Sequence, residues 1–123
     1  MVDQPPDVRV EDDATGPVIR FAGRIDRDAQ APVGEAWALA SERVAPGGWV
    51  TLDFSAADYI NSTGIALVVG LLADARRLDR RIRGRGLSTH YREIFRITRL
   101  TDYMTIEESA APAGGDAAEV GRP

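Results

Sequence analysis

Cysteine is absent from all 123 residues, which excludes disulfides and thiolate metal ligands and fits a reducing compartment. Lysine is absent too, so the 15 basic residues are all Arg. With the abundance of Ala and Gly, that bias points to a high-GC genome rather than to function. A single histidine, His90, leaves little material for general-base catalysis or a nitrogen-liganded metal. No apolar run approaches the roughly 18 residues that span a bilayer, and no basic-then-apolar leader opens the chain. These absences predict a cytoplasmic protein with no membrane partner.

What is present suits one globular domain. Hydrophobic residues make up 44% and charged residues 28%, which is neither a disordered nor a membrane composition. The formal net charge of −4 gives no global attraction to nucleic acid. Arginines nevertheless concentrate between Arg76 and Arg99. Such a cluster is either a solvated face balanced by acidic ends or a docking surface for an acidic protein partner.

Residues 1–7 are polar, carry Pro5-Pro6, and predict a flexible N-terminus. Val8 to Glu11 and Val18 to Ala22 alternate in polarity around Asp12, Asp13, Gly16 and Pro17, and predict a hairpin whose second strand is broken at Gly23. Ala29 to Val44 reads as a helix with Asp28 as N-cap and Pro32 in its first turn. Its apolar face of Val33, Trp37, Ala40 and Val44 makes Trp37 a core anchor. Trp49 to Phe54 is a nearly continuous apolar strand, expected to be central and buried on both sides.

Ser62 to Arg81 is the longest predicted helix, with a broad apolar face. Gly70 in its interior costs about 1 kcal/mol relative to Ala, and so predicts a close neighbour, from the chain itself or from a partner. Ile82 to Leu87 reads as a strand near an edge. Thr89 to Thr98 reads as a helix with Ile94, Phe95 and Ile97 in apolar contacts and Leu100 closing it. Tyr103 to Ile106 is a last strand, and residues 107–123 lack periodicity and predict a flexible tail. The resulting fold class is a single small α/β domain over residues 8–106, with a mixed four- to five-stranded sheet and three to four helices. Helical crossovers make that sheet largely parallel.

The informative stretch is TLDFSAADYINSTGIALVVGLL, from Thr51 to Leu72. Its strand runs into a polar turn that delivers Asn61, Ser62, Thr63 and Gly64 to the start of the long helix. On spacing alone these residues cap the helix, bind an anion, or accept a phosphate. No G-x-S-x-G elbow surrounds Ser62, and Asp53, Asp58 and His90 lack metal-ligand spacing. The residues therefore predict a protein that is not an enzyme and uses neither cofactor nor metal.

Taken in order, Val18 to Asp26 (VIRFAGRID), Leu52 to Ser55 (LDFS), Tyr59 to Ile65 (YINSTGI) and Ile94 to Leu100 (IFRITRL) resemble the STAS domain, the sulfate transporter and anti-sigma factor antagonist family. The resemblance covers Val8 to Ile106 and is nearest to stand-alone anti-sigma factor antagonists. It implies partner switching. The unmodified protein binds an anti-sigma factor that is also a serine kinase, freeing a sigma factor for transcription; phosphorylation breaks the complex and a serine phosphatase restores it. It also implies that Ser62 is the phosphoacceptor, with Asn61 in the place of the family's aspartate. The docking surface expected on that basis comprises Asp26, Asp58, Tyr59, Asn61, Ser62, Thr63, Gly64, Ile65 and Ala66. The alternative is a non-switching scaffold subunit of a signalling or lipid-transport assembly.

Overall fold

The computed structural model describes residues 4–107. A tight hairpin joins β1 (Asp7–Asp13) to β2 (Gly16–Ile25), and its turn is closed by the Thr15 N–H donating to Asp13 Oδ1 at 2.8 Å. Next come α1 (Gln30–Glu42), β3 (Trp49–Ile60), α2 (Ser62–Arg77), β4 (Arg81–Arg85), α3 (Thr89–Ile97) and β5 (Thr105–Ile106). The five strands lie in sequence order, with β1 and β2 antiparallel and every later pair parallel. Three right-handed crossovers stepping the same way across the sheet place all three helices on one face.

The core lies between that face and the helices. Ile19, Phe21, Val50, Leu52, Phe54 and Ile82 point inward from the strands, and Val33, Trp37, Val68, Leu72 and Phe95 meet them. Phe54 stacks on Phe21 at 4.7 Å and meets Phe95 edge-on at 5.7 Å. Trp37 is a core anchor, as expected, and its indole N–H donates to Asp74 Oδ2 at 2.7 Å, tying α1 to α2.

Among the described residues, no helix lies over the opposite face of the sheet. Thr51 and Asp53 are nonetheless buried there, covered by an ion ladder rather than by the second apolar layer expected of β3. Arg20 bridges Glu11 at 3.0 Å and Asp53 at 2.9 Å, and Arg85 bridges Asp53 at 3.2 Å and Asp13 at 3.0 Å. Burial alone would raise the Asp53 pKa; hydrogen bonds from Ser55 and Arg85 and the charge of Arg20 outweigh it and hold the carboxyl below its usual range.

Several local expectations are corrected. β2 continues through Gly23 to Ile25, with a pairing irregularity at that point. The expected turn after Phe54 is strand: β3 runs to Ile60 because the far end of β2 needs partners, and Ala56 to Ile60 supply them. Asp28 does not cap α1; it sits in a 3₁₀ turn, Arg27–Ala29, that Asp26 caps instead. α2 ends at Arg77, four residues early, where Asp79 takes a left-handed conformation. Ile97 is 65% exposed, while Phe95 and Leu100 carry the packing of that segment. Near the N-terminus, the Gln4 carbonyl accepts from the Arg24 N–H at 3.1 Å. Residues 1–3 and 108–123, where flexible ends are predicted, lie outside the described residues.

Candidate functional site

The site forms where β3 hands over to α2. Asn61 is extended and is the N-cap, its side-chain oxygen accepting from the Gly64 N–H at 2.8 Å. The Asn61 N–H in turn donates to the Ile25 carbonyl at 3.2 Å, fastening the handover to the end of β2. Gly64 is buried at the same point: a Cβ there would overlap the Ile25 carbonyl oxygen. This close approach explains why a glycine follows Thr63.

With Asn61 as the cap, the Ser62 hydroxyl is left over. Ser62 and Thr63 are exposed, and neither side chain has a hydrogen-bond partner among the described residues. Their backbone N–H groups are also unbonded first-turn donors at the positive end of a 16-residue helix. Of the three roles open to this tetrapeptide on spacing alone, capping falls to Asn61.

Asp26 is brought to the same end, because Ile25 pairs with Ile60 and the 3₁₀ turn packs on α2. Its carboxylate is engaged, accepting from Arg24 Nε at 2.6 Å and from the Asp28 N–H at 3.0 Å. Burial pushes the Asp26 pKa up, but the Arg24 hydrogen bond, the Asp28 N–H and the Arg24 charge bring it below the ordinary value. Asp58 and Tyr59 leave the strand on opposite faces. Asp58 joins Ser88 and Tyr91 around a cleft of about 190 Å³ on the helix side, whereas Tyr59, 54% exposed, stands beside Arg24 on the other side. Ile65 is half-buried and Ala66 exposed on the first turns of α2.

Tyr91 is a positioning residue that sequence reasoning passed over. Its hydroxyl accepts from the Ile60 N–H at 2.9 Å, fixing the last residue before Asn61. The available signal was a tyrosine in the first turn of a helix following a strand end. Among the described residues no group of His, Asp and Glu could hold a metal ion, and no helix is long and apolar enough to cross a membrane.

The family model described as Mlab, STAS domain matches residues 8–107. The chain belongs to the STAS domain family. Among solved structures, this STAS domain is similar to the anti-sigma factor antagonist SpoIIAA in its unphosphorylated form, at 18% identity and a TM-score of 0.64, covering 84% of this chain and 89% of that one. An anti-sigma-factor antagonist (STAS) domain protein from Planctomyces limnophilus matches at 19% identity and a TM-score of 0.67, over 84% and 90% of the two chains. The Bacillus cell fate determinant SpoIIAA in its phosphorylated form matches at 19% and 0.58, over 85% and 94%. At such identities the likeness is one of fold. No curated protein matches the chain.

Proposed function

We propose that this STAS domain is an anti-sigma factor antagonist that binds an anti-sigma factor with serine kinase activity and is switched by phosphorylation at Ser62. The observation that carries the reading is the division of labour at the start of α2: Asn61 caps, and the Ser62 hydroxyl is exposed and unbonded. A serine already spent on the cap would lose that bond on modification. Here a phosphate adds about 1.5 to 2 negative charges at the helix's positive end, so the domain tolerates it. The cost falls on whatever docks over the turn, through bulk, desolvation and charge repulsion. The docking surface is the Asp58 to Gly64 segment with Ile65, Ala66 and Asp26, the last presented by its ion pair with Arg24. A serine phosphatase resets the switch, and sigma-factor-dependent transcription follows its state. Likeness of fold to SpoIIAA, solved in both phosphorylation states, supports the reading.

Asn61 favours a second reading. It keeps the cap but removes the negative charge beside the hydroxyl that the family's aspartate supplies, which suits a non-switching scaffold subunit of a signalling or lipid-transport assembly. Incubation with candidate anti-sigma kinases and ATP, followed by mass-spectrometric mapping, separates the two. A single phosphate on Ser62 supports the switch; unmodified Ser62 in protein recovered from cells in a stable large complex supports the scaffold.

A further inference from the structure

Two groups stand out among the arginines between Arg76 and Arg99. Arg77, Arg85, Arg96 and Arg99 are neutralised by Asp74, by Asp13 and Asp53, by Glu93 and by Asp102, respectively. Arg76, Arg81 and Arg83 have no carboxylate partner among the described residues. All three lie against aromatic rings instead: Arg76 is 5.6 Å from the Tyr103 ring centre, and Arg81 and Arg83 are 5.6 and 4.6 Å from that of Trp49. Arg80 is held between them by the carbonyls of Ser41 at 3.2 Å and Leu78 at 2.5 Å.

Arg76, Arg80 and Arg81 line a cleft of about 550 Å³ with Trp49 and Tyr103 where β3 and β4 begin, and Arg83 adjoins it through the Trp49 ring that it shares with Arg81. Asp79 and Asp102 also line the cleft. Asp102 is taken by Arg99 at 2.9 Å, so Asp79 is the one carboxylate there without an arginine. In a chain of net charge −4 the cleft is thus a local excess of positive charge. It lies at the end of the sheet away from Ser62: α2 rises about 1.5 Å per residue, which sets Arg76 about 21 Å along the helix.

We infer that this cleft docks an acidic, extended segment of a partner protein, a contact independent of the Ser62 switch. Guanidinium groups match carboxylates in a planar, two-pronged geometry. Arg81 and Arg83 stand two residues apart on one strand face, about 6.6 Å, which is the spacing of carboxylates on alternate residues of an extended peptide. Trp49 and Tyr103 support the cations and hold them in place without neutralising them.

The test uses the full chain and a fluorescein-labelled deca-glutamate peptide, followed by fluorescence anisotropy. Arg81→Ala with Arg83→Ala weakens binding by about tenfold or more, as does Arg76→Gln with Arg80→Gln, and added salt weakens it further. Arg77→Ala with Arg96→Ala, which removes equal charge from neutralised positions, changes it by less than about twofold. Ser62→Asp leaves it unchanged, so the outcome is separate from that of the switch. Circular dichroism establishes that each variant is folded. Equal losses in cleft and control variants, absence of saturable binding, or tighter binding of pyrophosphate or of a single-stranded oligonucleotide overturns the inference.

Discussion

The side-chain oxygen of Asn61 accepts the backbone N–H of Gly64 at 2.8 Å, and that bond decides which residue of the Asn61 to Gly64 segment is structural. Replacing Asn61 with Ala leaves the Gly64 donor without its partner and costs about 1 kcal/mol. Asn61→Asp keeps the cap and adds a charge of the sign the helix N-terminus favours, so its stability stays equal or rises by about 0.5 kcal/mol. Urea unfolding of the three proteins, followed by circular dichroism, measures both differences.

Two glycines of the same helix respond in opposite directions to the same change. At Gly64 a methyl group meets the Ile25 carbonyl, so Gly64→Ala forces β2 and α2 apart and destabilises by about 2 kcal/mol or more. At Gly70, beyond the helix's own backbone, nothing among the described residues lies within 4 Å of the added carbon. Gly70→Ala therefore stabilises the helix by about 1 kcal/mol. Paired thermal melts give the sign of each.

Asp53 makes stability depend on acid. Its carboxyl in the folded protein sits below the ordinary value of 3.8. Asp13 is lowered as well, to about 2, chiefly by its hydrogen bonds from Thr15. The unfolded chain binds these protons more tightly than the folded one. Their contribution is thus complete above about pH 4 and is lost as the pH falls through the folded values. Asp53→Asn costs about 2 kcal/mol at neutral pH, less than a fully buried pair because both arginines reach solvent. It also flattens the dependence of stability on pH between about 4 and 2, measurable as denaturation midpoints across that range.

The sequence carried the parts of this fold that local chemistry dictates. The Asp-rich hairpin turn, the apolar face that buries Val33, Trp37 and Ala40, and the apolar inward run of β3 were all legible from spacing. What was not legible depends on residues far apart in the chain. Ser55 to Tyr59 has no apolar alternation and is strand only because β2 pairs with it. Arg20 and Asp53 are 33 residues apart, and no local pattern shows that one covers the other. At the site, the Asn61 to Gly64 segment stood out, but four polar or small residues in a row do not say which of them caps. The Ile25 carbonyl decides that, by fixing Gly64 against β2. Among the arginines, composition hid a division that only the positions of their carboxylates reveal.

Isothermal titration calorimetry tests whether the Ser62 hydroxyl controls docking without supporting the fold. The wild-type chain, Ser62→Ala and Ser62→Asp are each titrated into the anti-sigma kinase that phosphorylates it. Ser62→Ala is expected to bind within about twofold of wild type, because the cap is Asn61, and Ser62→Asp about tenfold or more weakly with an unchanged melting temperature. Equal affinity of Ser62→Asp and wild type would contradict that role of the hydroxyl.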